Sequence, residues 1–397
     1  MRKKSISIGL FLAGSLVLAG VGRAAAATIT VSNLNDSGAG SLRQAIASAS
    51  PGDTIGFGVT GDITLTSGEL LIDKDITISG PGSASLFLNG TASSRVLEIA
   101  AGSTATISGL TIQNGHAPLG EDAGGIWNNG TCFLSNVVVR NNHTSGQNYD
   151  VGGGILNQQG AMTLDKVTVS GNSAYAGGGI FNAGESIITI TNSAISGNGA
   201  FGAGGGLDNY GTASVSNTTI SSNSSGWSGA VSLSGPGETT QLLNVTINGN
   251  TGIGLDKLGT ANLSIRNSIV SNNSDGDCWD AVPSDGYNIS SDDSCGFASI
   301  GDLPNTDPRL GPLADNGGPT MTHALLTGSP AIDKADPRLV LPTDQRGVAR
   351  PQGPRGDIGA YEYLPVSAVP AMNTWGLILF VLSAGAVSVY YMRKRLG

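Results

Sequence analysis

The sequence has little charge, few aromatic rings and little cysteine. Of its 397 residues, 12% are charged and 5% are aromatic, whereas 39% are hydrophobic and 61 are glycine. The hydrophobic share is too large for a disordered chain, and the glycines lack the three-residue period of a collagen. Few aromatic rings are expected in an interior of stacked Val, Ile and Leu side chains.

Basic residues are also scarce, and the formal net charge is −9. This charge argues against nucleic acid and against an anionic membrane surface as partners. The three cysteines do not have the spacing of a zinc site. Cys278 and Cys295 flank one loop and predict a disulfide if the protein is exported. Cys132 lies on a predicted strand and is expected to be a buried free thiol.

Helical spacing is missing from most of the chain, and a glycine-led repeat takes its place. Copies of the repeat run over residues 124–142, 152–172, 177–198 and 204–223, each with a glycine run, a turn and short alternating strands before an Asn. Periods of about 20–50 residues are typical of solenoids, propellers and arrays. The central residue of the last strand recurs as Ile112, Val139, Val169, Ile195, Ile220, Ile247 and Val270.

The length and content of the repeat select one of these architectures. The absence of helical spacing excludes helical solenoids, and a propeller blade needs about 40 residues for its four strands. A unit of about 25 residues suits one turn of a single-stranded parallel β-helix, in which each coil pairs with the next at ~4.8 Å. The predicted fold class is therefore all-β.

Two columns of Asn accompany the strands. Stacked coils place equivalent residues on top of one another, and Asn tolerates left-handed backbone angles at turns. We expect both columns to be turn ladders rather than ligand-binding sites. The column after each anchor contains Asn142, Asn172, Asn198, Asn223, Asn250 and Asn273, and the column before it contains Asn136, Asn192, Asn217, Asn244 and Asn267.

The pattern divides the chain into four segments. Residues 1–27 have the basic start, apolar run and small-residue exit of a signal peptide. The β-helix follows over 28–302, and a segment richer in proline and charge covers 303–363. Residues 364–397 form a tail with an apolar run from 377 to 392 and a basic end, which predicts a C-terminal transmembrane helix.

One helix is predicted in the body, over residues 41–50. Leu42, Ala45 and Ile46 recur at helical spacing, and Ser41 is suited to cap the first turn. An amphipathic helix could cover the unpaired strand edges at the end of a solenoid. We expect such a cap, and binding of a partner helix is the alternative.

Three motifs carry a family resemblance. The segment GSLRQAIASASPGDTI at 40–55 is similar to the start of many exported bacterial β-helix proteins. The segments 315–333 and 344–362 resemble the choice-of-anchor Q domain, and the tail from Val369 resembles C-terminal sorting signals of the IPTL type through Pro370, Trp375 and Gly376. The repeats resemble the pectin-lyase-like right-handed β-helix.

The resemblance implies a location rather than one activity. Such proteins are exported by Gram-negative bacteria and are held at the cell surface or secreted. A sorting or processing enzyme would act on the tail, which would occupy the inner membrane at least transiently. The fold itself hosts lyases, hydrolases, adhesins and scaffolds, so it does not fix function.

An aromatic residue precedes each of several glycine runs, one per coil. Stacking of the coils would bring these rings into a stripe that could pack on sugar rings of an extracellular polysaccharide or matrix. Alternatively, each ring covers only its own loop. The stripe consists of Tyr149, Tyr175, Phe201 and Trp227.

One group of residues resembles a catalytic site. His116 and His143 each fall four residues after an anchor, and Asp122 and Asp150 each precede a glycine run by two residues. Two His and two Asp in neighbouring coils could bind a metal or act as acid and base. A solvated turn face is the simpler interpretation.

The C-terminal segment carries acidic residues within its motifs. Asp315, Asp333, Asp344 and Asp357 could hold calcium together with backbone carbonyls, and no other cofactor is expected. Salt bridges to the neighbouring arginines are the alternative.

Taken together, these patterns favour an exported binding or structural protein, adhesin-like and associated with polysaccharide or matrix. A carbohydrate-active lyase or hydrolase of the same fold is the alternative. Release of unsaturated or reducing ends from acidic polysaccharides would distinguish the two.

Overall fold

The computed structural model describes residues 26–145, 149–235, 237–339 and 341–365, together with 391 and 394. Most of the predicted signal peptide and almost all of the predicted tail lie outside these residues. The described chain is a right-handed parallel β-solenoid of about nine turns, which confirms the predicted all-β solenoid. Among the described residues, no helix is long and apolar enough to span a membrane.

The N-terminal coils contain the one predicted helix. Helix α1 covers Leu42–Ser48, and the side chain of Ser41 accepts a hydrogen bond from the first turn. Ala45 and Ile46 are buried, as the helical spacing indicates, but a role in capping the solenoid stays a prediction. The elements in chain order are β1 (Thr28–Val31), α1 (Leu42–Ser48), β2 (Thr54–Phe57), β3 (Gly61–Thr64), β4 (Leu70–Ile72), β5 (Ile76–Ser79), β6 (Leu86–Asn89), β7 (Leu97–Ile99), β8 (Thr104–Ser108) and β9 (Thr111–Gln113).

The repeats form the next twenty strands. Each coil contributes short strands separated by tight turns, as the alternating patterns indicate. In order they are β10 (Ile126–Asn128), β11 (Thr131–Ser135), β12 (Val138–Arg140), β13 (Ile155–Asn157), β14 (Ala161–Asp165), β15 (Thr168–Ser170), β16 (Ser173–Ala174), β17 (Ile180–Asn182), β18 (Ile187–Thr191), β19 (Ala194–Ser196), β20 (Gly199–Ala200), β21 (Leu207–Asn209), β22 (Thr212–Ser221), β23 (Ser224–Ser225), β24 (Val231–Leu233), β25 (Thr239–Asn248), β26 (Leu255–Lys257), β27 (Asn262–Arg266), β28 (Ile269–Ser271) and β29 (Ile289–Ser290).

Parallel pairing between coils builds three sheets in the described chain. Sheet A has 18 strands, sheet B has eight and sheet C has three short ones. Sheet B takes one three-residue strand from each coil, in the order β4, β7, β10, β13, β17, β21, β24 and β26. The middle residues of these strands form one outer column. Four of them reach solvent, namely Leu71, Glu98, Trp127 and Phe181, and four are covered, namely Leu156, Asp208, Ser232 and Asp256.

The seven anchor residues pair in register, as predicted. Ile112 pairs with Val139, which pairs with Val169, and the series continues through β19, β22, β25 and β28 to Val270. Val139 is fully buried, as are its neighbours in the interior stack. Burial of each such side chain contributes about 1.5–3 kcal/mol.

The Asn column after the anchors forms a buried ladder. The side-chain amide of Asn172 donates to the Asn198 side-chain oxygen at 2.9 Å, and that of Asn198 donates to Asn223 at 3.0 Å. The other predicted column lies at left-handed turns, with φ of 51° at Asn192 and 44° at Asn217. A third, unpredicted ladder joins the last residues of the sheet B strands, namely Asn128, Asn157, Asn182 and Asn209.

The C-terminal segment packs sideways against sheet A. It contains the hairpin of β30 (Leu310–Ala314) and β31 (Thr322–Leu325). His323 of this hairpin is buried and contacts Ser221 of the solenoid through Nε2 at 2.9 Å. Arg266 pairs with Asp336 at 2.6 Å, so both polar and ionic contacts hold the segment in place.

The cysteines adopt the arrangement that their spacing predicts. Cys278 and Cys295 form a disulfide with a sulfur–sulfur distance of 2.03 Å. Cys132 is a free and fully buried thiol, and burial raises its pKa to about 12. It behaves as a small hydrophobic side chain of the core.

Candidate functional site

The glycine runs bring the loops before sheet B into close stacking. A Cβ atom at Gly153 would lie 2.3 Å from the Ser173 carbonyl oxygen, and one at Gly178 would lie 2.1 Å from that of Gly199. Only glycine lets neighbouring coils approach this closely. The loops also exchange backbone hydrogen bonds, including Tyr175 N–H to the Asp150 carbonyl at 3.0 Å.

The four rings of the predicted aromatic stripe are in contact and form one cluster, which is called the aromatic row below. The ring centroids of Tyr149 and Tyr175 are 4.6 Å apart, and those of Tyr175 and Phe201 are 5.8 Å apart. Trp227 contacts both of the preceding rings, with its centroid 5.7 Å from that of Phe201 and 5.8 Å from that of Tyr175. These rings therefore touch each other across coils rather than covering separate loops.

Most of this aromatic surface is open to solvent. Tyr149 is 72% exposed, Phe201 is 64% exposed and Trp227 is 65% exposed. Tyr175 lies between them and is half-buried by its neighbours. Contiguous exposed apolar surface on a soluble protein typically marks an interaction site.

In the coils before the row, the two predicted His residues contact each other and the two predicted Asp residues lie near each other. His116 pairs with His143 across the coils, and their ring centroids are 4.4 Å apart in an edge-on contact. Asp122 accepts a hydrogen bond from the Val151 amide at 2.8 Å, and burial together with the nearby Asp150 raises its pKa. Asp150 itself is buried and accepts from the Ser145 hydroxyl.

A second acidic cluster surrounds a buried arginine in the irregular N-terminal coils. Arg95 contacts Glu69 at 2.7 Å and Glu98 at 3.7 Å, and its guanidinium stacks 4.3 Å from the Trp127 ring centroid. Burial and the neighbouring Glu98 raise the pKa of Glu69. Glu69 also lines a cleft of about 340 Å³ beside Arg43.

Sequence reasoning did not find the Arg95 cluster. The coils that carry Glu69 and Arg95 have an irregular spacing, so no column position links the two residues before the structure is known. The sequence offers one indication of this cluster, namely a charged residue on or just before a strand of sheet B. This indication is weak, because most charged residues lie on solvated faces.

A third pair of acids occupies the outer column of sheet B. Asp208 of β21 and Asp256 of β26 lie in register with Ser232 of β24 between them. Burial raises the pKa of Asp208 to about 7 and also raises that of Asp256. The sequence does not reveal that the two Asp residues share one column, because they lie in alternate coils and Ser232 occupies the coil between them.

The four Asp residues proposed for calcium do not converge. Asp344 pairs with Arg346 at 2.7 Å, and Asp357 accepts from the Asp333 amide at 2.7 Å. Asp315 is exposed at a turn. In the described part of the chain, no group of three or more His, Cys, Asp or Glu side chains could hold a metal ion. Salt bridges and turn hydrogen bonds account for these carboxylates, and calcium binding stays a prediction.

Comparison with known proteins supports the fold. No protein-family model matches the sequence. No curated protein matches it either. Among solved structures, the crystal structure of pectate lyase Pel9A is similar, with a TM-score of 0.50 and 14% sequence identity. The similarity covers 85% of this chain and 96% of the pectate lyase.

Proposed function

We propose that this chain binds an extended polysaccharide through the aromatic row of Tyr149, Tyr175, Phe201 and Trp227. The observation that carries the proposal is that these rings form one contiguous and largely solvent-exposed aromatic patch across four coils. The Tyr175 and Trp227 centroids are only 5.8 Å apart although these residues lie two coils apart, so the four rings form one compact patch. Exposed aromatic rings in mutual contact present flat apolar faces on which the sugar rings of a polysaccharide can pack.

The backbone beneath the row is held in place before any ligand arrives. The Gly202 amide donates to the Tyr175 carbonyl at 2.7 Å, and the Trp227 amide donates to the Gly202 carbonyl at 3.0 Å. A ligand therefore does not have to order these loops, which reduces the entropic cost of binding. The likeness to a pectate lyase supports a polysaccharide as the ligand class at the level of fold alone.

The proposal is tested by binding of the purified protein to a panel of neutral and acidic polysaccharides, measured by affinity electrophoresis. Tyr175→Ala and Trp227→Ala should each weaken binding about 5- to 30-fold, because one lost ring contact costs about 1–2 kcal/mol. Trp279→Ala is the matched control, since Trp279 is 58% exposed and lies outside the row. Unchanged binding in both row variants would overturn the proposal.

A carbohydrate-active enzyme is the second candidate, and the Arg95 cluster favours it. Glu69 has a raised pKa and could donate a proton as general acid, with the Arg95 guanidinium beside it at 2.7 Å. The cluster precedes the aromatic row along the solenoid, and the carbonyl of Asp122 accepts from Arg95 at 2.9 Å. A bound polysaccharide could reach from one to the other.

Assay of reducing and unsaturated ends with the same polysaccharide panel separates the two candidates. An enzyme should release such ends, and Glu69→Gln should lower the rate at least about 100-fold, because a positioned general acid typically supplies that much. Asp73→Asn is the control, since Asp73 lines the same cleft but does not contact Arg95. Binding without release of ends would leave the protein as a binding module.

The proposed place of action is outside the cell. This part of the proposal rests on the signal-like segment 1–27, the choice-of-anchor Q-like segment 303–363 and the sorting-signal-like tail 364–397. The disulfide between Cys278 and Cys295 suits an oxidising compartment. Fractionation of Gram-negative cells that express the full chain would test it, and retention of the protein in the cytoplasm would contradict it.

A further inference from the structure

Two buried carboxylates face outward from sheet B beneath the loops that carry the aromatic row. Asp208 is 0% exposed and Asp256 is 3% exposed. The preceding loops fold over them: a Cβ atom at Gly204 would lie 2.3 Å from Cβ of Asp208, and one at Gly229 would lie 3.2 Å from Cβ of Asp256. Glycine at these positions lets the loops exclude water from both carboxylates.

The buried carboxylates lack the partners that such groups need. Neither oxygen of Asp208, nor Oδ1 of Asp256, makes a hydrogen bond of normal geometry, although the Ser232 hydroxyl lies within reach of the Asp208 carboxylate. The other oxygen of Asp256 accepts from the Ser228 hydroxyl. Within the described residues, no Lys or Arg forms a salt bridge with either Asp. Burial of an unpaired, ionised carboxylate away from water is strongly unfavourable. In proteins such a group is normally paired with a cation or coordinates a metal ion.

We propose that Asp208 and Asp256 bind a hard divalent cation such as Ca²⁺, with the hydroxyl of Ser232 between them. Carboxylate and hydroxyl oxygens are the ligands that Ca²⁺ and Mg²⁺ prefer, and two carboxylates neutralise the charge of one such ion. The two Asp are two strands apart, about 9.6 Å between Cα atoms. Two Asp side chains and one cation with oxygen contacts of about 2.4 Å can bridge this span.

The proposed cation would fix the loops that present Phe201 and Trp227. Ser228 follows Trp227 directly and donates to Asp256, while the Ser225 hydroxyl donates to the Ser228 carbonyl. On the other side, the loop from Phe201 reaches Gly204, which packs on Asp208. The cation would therefore join two adjacent loops from below. The site does not depend on whether the aromatic row binds sugar.

A proton is the competing occupant. A protonated and neutral Asp208 would also lower the free-energy cost of burial, but the stability of the protein would then not change when calcium is added. The two occupants are distinguished by melting the full chain in EDTA, in 2 mM CaCl₂ and in 2 mM MgCl₂, and by calorimetric titration with the same salts.

A cation site predicts that either salt raises the Tm of the wild-type protein by about 5 °C or more relative to EDTA. Asp208→Asn and Asp256→Asn should abolish this rise and the binding heat. Both variants should fold in EDTA at least as stably as the wild type, because they remove an unpaired buried charge. Circular dichroism spectra confirm that they fold.

Two control variants test whether the effect of the cation on Tm comes from Asp208 and Asp256 rather than from other acidic residues. Asp165→Asn changes a more exposed acid on sheet A, and Asp315→Asn changes an exposed acid of the C-terminal segment. Both should keep the full response to the cation. A wild-type protein without heat and without a Tm shift in either salt would overturn the proposal. So would a shift that survives in both Asp208→Asn and Asp256→Asn.

Discussion

At the scale of single residues, the buried Asn ladder shows how one side chain can serve three coils. The side-chain oxygen of Asn198 accepts from the Asn172 amide at 3.0 Å, and its side-chain nitrogen donates to the Val169 carbonyl at 2.9 Å and to Asn223 at 3.0 Å. Asn198 is 1% exposed, so water cannot replace these bonds.

Asn198→Ala should therefore destabilise the protein by about 3 kcal/mol, because it leaves buried donors and acceptors without partners. The Tm should fall by about 4 °C, as measured by circular dichroism, because the unfolding entropy of a chain of this length is large. Asn262→Ala is the control, since Asn262 is exposed and its side chain donates to the Gly237 carbonyl at 3.1 Å. Equal melting temperatures for the two variants would contradict this account of the ladder.

At the scale of elements, periodicity made most of the strands predictable. Alternation of apolar residues and the recurring Asn located the strands of the central coils and their register, because each stacked position repeats the same environment. The helix at 42–48 was predicted from its spacing and its Ser41 cap. The Asn128 ladder was not, because each Asn of that ladder has an apolar residue two positions before it and reads as part of a strand.

Of the candidate functional residues, only those that recur with the period of the repeat could be predicted from the sequence. Tyr149, Tyr175, Phe201 and Trp227 recur once per coil, so sequence spacing alone brought them together. The Arg95 cluster lies in coils of irregular length, where no spacing connects its members. Asp208 and Asp256 are separated by a coil that carries Ser232. Their proximity depends on the register of the strands, and their burial depends on the loops above them. Neither can be read from the composition of the sequence.

At the scale of the whole molecule, the C-terminal segment and the solenoid form one packed unit through polar contacts. Asn217 donates to the Thr343 carbonyl at 2.8 Å, and Thr219 donates to the Gln345 side-chain oxygen at 2.6 Å. These contacts use residues on and beside the left-handed turns of sheet A. The turn ladder therefore serves as a docking surface as well as a corner of each coil.

His323 lies at the centre of this docking surface and should make its stability depend on pH. Nδ1 lies 2.8 Å from the Gly311 carbonyl, and Nε2 lies 2.9 Å from the Ser221 hydroxyl. Burial lowers the pKa of His323, so the ring is neutral in the folded protein and binds a proton more readily in the unfolded chain. Its contribution is complete above the unfolded pKa of about 6.5. It is lost as the pH falls from there through the folded value, with a slope of at most about 1.4 kcal/mol per pH unit.

Other titrating groups change the stability with pH in the opposite direction. A variant of His323 is therefore needed to measure its own contribution. The pKa of Asp208 and that of Asp357 are each raised to about 7, and their protonation favours the folded state as the pH falls. The fall in Tm between pH 7.5 and pH 5.5 should be smaller in His323→Gln than in the wild type, in EDTA at constant ionic strength. His143→Gln is the control for the docking surface. Burial also lowers the pKa of His143, so this variant should reduce the fall in Tm as well, but it should not change the proteolytic release of residues 303–363. If limited proteolysis releases residues 303–363 no faster from the wild type at pH 5.5 than at pH 7.5, protonation of His323 does not loosen the docking surface.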